Sequence, residues 1–213
     1  MFNKLKHMKK LLFLFFGIVS TLTIAQNDKS YVDGLVSEFT KSLENRGIGE
    51  YFYMNKYCDG TTEMFKLEDG SMCASKGTHY EVYIFWKEEN QPMIKKIDNC
   101  GMYFSLPLHN ATVLDFATNN TRQLENGKVK KYEVKNPENV PAKRSKVHRC
   151  HRLFKFTIDN ESFGQTYNLY DLTNESKFEN LNFDTNNNLE IVALEKMIEE
   201  QISTLESKFK RQF

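Results

Sequence analysis

The chain has 213 residues, with 29 Lys and Arg against 28 Asp and Glu and a formal net charge of +1. Such a balance excludes the global basic field through which proteins gather nucleic acid or anionic membranes. An apolar fraction of 40% suits a packed core, and four cysteines make an even count.

At the N-terminus, Lys4, Lys6, Lys9 and Lys10 precede the apolar run LLFLFFGIVSTLTIA, which ends at Ala25 before Gln26. A basic start, an apolar stretch and a small residue at the cut form the pattern of a signal peptide. The run is also shorter than the roughly 20 residues a membrane-spanning helix needs. Residues 1–25 are therefore expected to be removed, leaving 26–213 as one exported α+β domain without a transmembrane anchor, periplasmic or secreted. Four of the 29 basic residues and none of the 28 acidic ones lie in 1–25, so the remainder holds 25 against 28, a formal charge of −3. No cysteine precedes Cys58, so none follows the cut to carry a lipid.

The first element expected is a helix from about Ser30 to Asn45, where Tyr31, Leu35, Phe39 and Leu43 recur every four residues before Gly47 and Gly49. EYFYMNKY (50–57), EMFKL (63–67) and HYEVYIFWK (79–87) read as strands. In the last, Tyr80, Val82, Ile84 and Trp86 share one face, expected to be the core face, and His79, Glu81, Tyr83, Phe85 and Lys87 the other. A turn at EENQP leads to MIKKI, and Gly101 precedes MYFSLPL, completing an antiparallel meander of the kind that keeps one face wet. NATVLDFAT (110–118) suits a short helix. Residues 119–146, rich in Asn, Lys and Glu, read as an exposed excursion with one strand in KVKKYEV.

VHRCHRLFKFTI (147–158) and QTYNLYDL (165–172) follow as strands joined by a turn between Asn160 and Gly164. Alternation in the first puts Cys150, Arg152, Phe154, Phe156 and Ile158 on one face with His148, and His151, Arg149 and Leu153 on the other. From Leu189 to Phe213, Ile191, Leu194, Ile198, Ile202, Leu205 and Phe209 form one apolar stripe. Covering a sheet is its commoner use, and a dimer seam the alternative. The fold expected is α+β: an antiparallel meander flanked by an N-terminal helix and a long amphipathic C-terminal helix, stapled by disulfides.

In an oxidising compartment Cys58, Cys73, Cys100 and Cys150 imply two disulfides, and four cysteines allow three connectivities. The turn signals Asp59-Gly60 and Asp69-Gly70 favour Cys58–Cys73, which leaves Cys100–Cys150. His148 and His151 flank Cys150 but point apart on a regular strand, so no metal site, cofactor or Cys/His catalytic centre is expected there. Lys143, Arg144, Lys146, Arg149, Arg152 and Lys155 form an acid-free run, a candidate anion-binding edge or a solvated strand edge guarded by charge. No phosphate-loop, dinucleotide, zinc-protease or serine-hydrolase signature occurs.

Three function classes follow. The favoured one is a non-enzymatic binding or envelope-associated module that uses the sheet face, with an anionic glycan, an envelope component or a protein as partner and no nucleic acid. The second is a secreted hydrolase using His79, His109, His148 or His151 with a carboxylate such as Glu81 or Asp98. The third is an interaction protein that assembles through residues 189–213. Intact mass of the exported protein should begin at or near Gln26 and rise by four hydrogens on reduction. A mass that includes Met1, or four thiols alkylated without reductant, counts against export and disulfides respectively.

Overall fold

The computed structural model describes residues 27–135, 141–143, 149–158 and 161–212; the expected signal segment lies outside them. The fold is α+β. Helix α1 (Lys29–Asn45) starts where the Asp28 carboxylate accepts a hydrogen bond from the Tyr31 amide at 2.9 Å. It ends in a left-handed Gly47 (φ 79°), with Ile48 N–H donating to the Leu43 carbonyl and Gly47 N–H to that of Glu44. Both end groups are thereby satisfied without a side chain. The buried residues are Val32, Val36, Phe39 and Leu43, so Tyr31 and Leu35 flank the stripe instead of forming it.

The strands are β1 (Tyr51–Cys58), β2 (Met64–Lys66), β3 (Met72–Ala74), β4 (Tyr80–Glu88), β5 (Gln91–Asp98), β6 (Gly101–Met102) and β7 (Leu106–Pro107). Helices α2 (Thr112–Asn119) and α3 (Thr121–Asn126) come next, then β8 (Glu133–Lys135), β9 (Pro141–Lys143), β10 (Cys150–Ile158) and β11 (Glu161–Asn168). A 3-10 turn (Leu169–Leu172), helix α4 (Phe183–Asn187), helix α5 (Glu190–Leu205) and a second 3-10 turn (Glu206–Lys208) complete the order. The main sheet runs β11-β10-β1-β4-β5-β6, with β7 also on β5, and every pairing is antiparallel. Glu89 and Asn90, at φ 49° and 65°, make the two-residue β4–β5 turn, the backbone hand that matches strand twist.

Two expectations about the sheet change. Val82, Ile84 and Trp86 do pack on α1, with the Trp86 ring edge-on to Phe39 at 5.2 Å. Yet Tyr83 and Phe85, on the face expected to be wet, are fully buried as well, in a core with Phe52, Phe154, Phe156 and the α5 stripe. The central strand is thus buried on both sides. Gly164 lies within β11, paired with Lys155, and not in the turn before it.

The α5 stripe Ile191, Leu194, Ile198, Ile202 and Leu205 is buried against this sheet face, so it is consumed inside the chain and presents no free dimer seam. Phe209 leaves the helix but packs edge-on against Tyr83 and Tyr103. Of the excursion expected over 119–146, residues 119–135 are anchored: Leu124 and Tyr132 have no exposure, and Tyr132 stacks on Tyr170 at 4.5 Å, while 136–140 and 144–146 lie outside the described residues. Asparagines do the stitching. Asn186 receives the Lys130 amide on its Oδ1 and donates to the Lys130 and Asp171 carbonyls, and Asn182 donates to that of Lys131. An amide side chain carries both a donor and an acceptor, which lets it stand in for a strand partner.

The disulfides are Cys58–Cys150 and Cys73–Cys100, which corrects the pairing expected from turn signals. Both turns form, with Gly60 and Gly70 at φ 74° and 85°. The first follows β1, however, and the second closes the β2–β3 hairpin, whose Cys73 meets Cys100 in the β5–β6 turn. Cys58 is the direct cross-strand partner of Cys150, with a Cα separation of 3.9 Å. Trp86→Ala should cost roughly 3 to 5 kcal/mol in denaturant unfolding, through lost transfer and a cavity under α1; a loss below about 1 kcal/mol contradicts this packing.

Candidate functional site

The two faces of the sheet are unequally covered. Helices α2, α3 and α5 fill one face from β5 to β11, whereas the apolar face of α1 is centred on β4 and β5, with Met102 of β6 and Tyr51 and Tyr53 of β1 at its margins. On the α1 side the floor from β1 to β11 stays open as a trough of about 900 Å³. Register sets what points into it: Tyr51, Tyr53 and Asn55 from β1 stand beside Thr157, Lys155 and Leu153 of β10, which stand beside Ser162, Gly164 and Thr166 of β11. Lys29, Asp33, Ser37, Thr40 and Glu44 of α1 form the wall. The alternate residues of the same strands, Phe52, Met54, Phe154, Phe156 and Tyr167, are buried on the other side.

Within the trough, Lys29 pairs with Asp33 at 2.5 Å and the Tyr51 hydroxyl donates to Glu44 at 3.0 Å. Burial pushes the Tyr53 hydroxyl above the ordinary tyrosine pKa, and the Asp33 charge adds to this. It is therefore a neutral donor and acceptor at physiological pH. Asn55 is 4% exposed, and its Oδ1 has no hydrogen-bond partner among the described residues. An unmet buried acceptor costs about 1 to 3 kcal/mol. Gly164 leaves the floor bare, and a Cβ there would lie 3.1 Å from the Phe154 carbonyl oxygen.

The basic run does not converge. Lys155 is exposed and faces the trough. Arg152, of opposite alternation, points under α5, bonds Glu195 at 2.6 Å and lies 3.5 Å from Glu199. Arg149 and Lys143 are exposed on separate segments, while Arg144 and Lys146 lie outside the described residues. Arg152 belongs to a chain of charges along the edge of α5. Lys56 bridges Glu81 and Glu199, and Lys96 bridges Glu81 at 2.8 Å and Glu206 at 3.0 Å. Burial alone would raise the Glu81 pKa, but Lys96 and Lys56 outweigh it and hold the carboxyl below its ordinary value.

The histidines are equally scattered. His151 stacks on Tyr57 and lies 3.0 Å from Asp59 on the α1 side, and His109 is exposed after β7. His148 lies outside the described residues. His79, on the α5 side, is 6% exposed and lines a pocket of about 210 Å³ with Lys56, Glu63, Glu81, Arg152 and the Cys58–Cys150 disulfide. Its Nε2 is 3.8 Å from Glu63, and neither ring nitrogen has a hydrogen bond among the described residues. Asp98 is engaged elsewhere, held by both Arg211 Nη atoms at 2.6 Å and by the Tyr103 hydroxyl at 2.9 Å. Among the described residues no cluster of three or more His, Cys, Asp and Glu is placed to hold a metal ion, and no helix is long and apolar enough to cross a membrane.

Comparison with known proteins matches this chain to no family model, no curated protein and no solved structure. The site is read from its own geometry alone. Of the trough residues, only Lys155 was singled out from the sequence. The signal for the others was the alternation itself: Thr157 with Phe156, and Ser162, Gly164 and Thr166 with Phe163, Gln165 and Tyr167, mark one polar face on two adjacent strands. The two cations should separate in unfolding experiments. Arg152→Ala leaves the buried Glu195 uncompensated and should cost about 3 to 5 kcal/mol, whereas Lys155→Ala should stay within about 0.5 kcal/mol. Equal losses would contradict their opposite placement.

Proposed function

We propose that this chain is an exported, non-enzymatic binding module, one domain over residues 26–213, whose contact surface is the open half of the sheet face on the α1 side. The observation that carries this reading is the trough, with Asn55 in its lining and the Asn55 Oδ1 buried and without a partner among the described residues. Folded proteins seldom leave such a group without a partner, and a ligand supplies one. The signal-peptide pattern and two disulfides support an oxidising, extracytoplasmic setting. Nothing among the trough's lining residues resembles a nucleophile activated by an oriented base, which favours binding over turnover.

The hydrolase reading keeps one specific observation in its favour, the buried His79 beside Glu63 and Glu81. The two readings separate in a thermal-shift screen of glycans, peptides and small molecules against the native protein, Thr166→Tyr and His79→Gln. Thr166 is exposed, so a tyrosine there fills the trough without touching the core. A ligand at about 100 times its dissociation constant adds about 2.7 kcal/mol. The expected ligand stabilises the native protein and His79→Gln but not Thr166→Tyr. A ligand that acts equally on Thr166→Tyr, or a turnover lost in His79→Gln alone, overturns the trough reading.

A further inference from the structure

The chemistry of the trough narrows its ligand, on the premise that the trough is the binding surface. Its charged lining is Lys29 and Lys155 against Asp33 and Glu44, two of each sign. An anionic chain drawn to Lys155 would lie against the two carboxylates of α1, and a cationic one against the two lysines. Either loses on one wall what it gains on the other, because like charges repel over the distances a trough allows. A neutral ligand meets neither penalty.

The rest of the lining offers hydroxyls and an amide. Tyr53, Thr157, Ser162 and Thr166 each donate and accept, Thr157 and Ser162 pairing with each other at 3.2 Å, and Asn55 lines the floor with a buried Oδ1 that has no partner among the described residues. Each of these is matched by a group that also both donates and accepts, as an alcohol does. An extended peptide is a poorer match. Its backbone amides pair along a sheet edge, whereas the floor across β1 and β10 is a sheet face whose strands already bond one another, and only the outer side of β11 is an edge. The volume of about 900 Å³ stands near the upper end of the roughly 300 to 1,000 Å³ typical of small-ligand sites, room for a chain of rings. Gly164 lowers the floor between Lys155 and the β11 edge, so a flat ring can approach the backbone there.

We infer that the trough takes a neutral, polyhydroxylated chain, an oligosaccharide laid along β1, β10 and β11 with hydroxyls on Asn55, Thr157, Ser162 and Thr166. The test titrates the full protein with neutral tetrasaccharides of α-linked glucose, β-linked glucose and β-linked N-acetylglucosamine, and with a sulfated tetrasaccharide. Binding is read by amide chemical shifts and calorimetry at low and high salt. At least one neutral sugar should shift amides of β1, β10 and β11 with an affinity indifferent to salt. The double variant Ser162→Ala with Thr166→Ala, both exposed positions, should weaken it about tenfold with unfolding unchanged.

Binding of the sulfated sugar alone, salt-dependent and lost in Lys155→Ala, overturns neutrality and keeps the trough. Silence of all the neutral sugars, while another ligand shifts the same amides, overturns the oligosaccharide class alone. Neutral-sugar binding that maps away from these strands, or that ignores the double variant, overturns both the class and the trough.

Discussion

The structure depends on the pairing of β1 with β10. Two pieces of chain that each fold locally, the β4–β5 meander and the β10–β11 hairpin, become one sheet only where Tyr51–Cys58 runs antiparallel to Cys150–Ile158. Their contact closes a loop of 92 residues between Cys58 and Cys150, a separation whose closure entropy must be met before any contact rewards it. Stacked rings supply part of that reward on the α5 side, Phe52 lying between Phe85 and Phe156 at 4.9 and 5.4 Å. The disulfide removes open states of that loop from the unfolded ensemble. On the other side of the same pairing lies the floor of the trough, so the candidate site is built across the join between the two halves of the chain.

The join also explains why the faces differ. A continuous sheet from β11 to β5 presents an apolar face wide enough for α2, α3 and the α5 stripe together. Charged groups that cannot enter that core line its margin as pairs: Arg152 with Glu195, Lys56 with Glu81 and Glu199, Lys96 with Glu81 and Glu206. Such pairs offset their desolvation without adding much net stability, and they fix where α5 lies. Helix α1, with four buried residues, covers β4 and β5 and meets β1 only through Tyr51 and Tyr53 at its margin. What it leaves uncovered mixes Thr157, Lys155, Ser162 and Thr166 with Tyr51, Tyr53 and Leu153.

Helical periodicity made α1 and α5 legible, and alternation made β4 and β10 legible, because both signals are local. The two-sided burial of β4 was within reach as well: VYIFW is five apolar residues in a row, a run that reads as a strand covered on both faces. Disulfide pairing was not legible, since Cys58 and Cys150 meet through a strand register that no local signal encodes. Nor was the anchoring of residues 128–133, where Asn180, Asn182 and Asn186 bond backbone groups far along the chain. Asparagine looks the same in sequence whether it faces water or replaces a strand. For the trough, polar alternation was visible, but which half of the sheet α1 would leave open depends on where the helix docks.

The connectivity of the cysteines imposes an order on maturation. The Cys73–Cys100 bond is nested inside the Cys58–Cys150 loop, and a ribosome makes Cys58 and Cys73 long before Cys150. Oxidation in order of appearance would join Cys58 to Cys73, the neighbours in sequence, and leave Cys100 to wait for Cys150. The native pairs therefore form only if Cys58 remains a thiol until the C-terminal hairpin arrives, or if exchange through a mixed disulfide later undoes the first bond. On the second route alone the yield tracks the cell's capacity to isomerise bonds more than its capacity to make them.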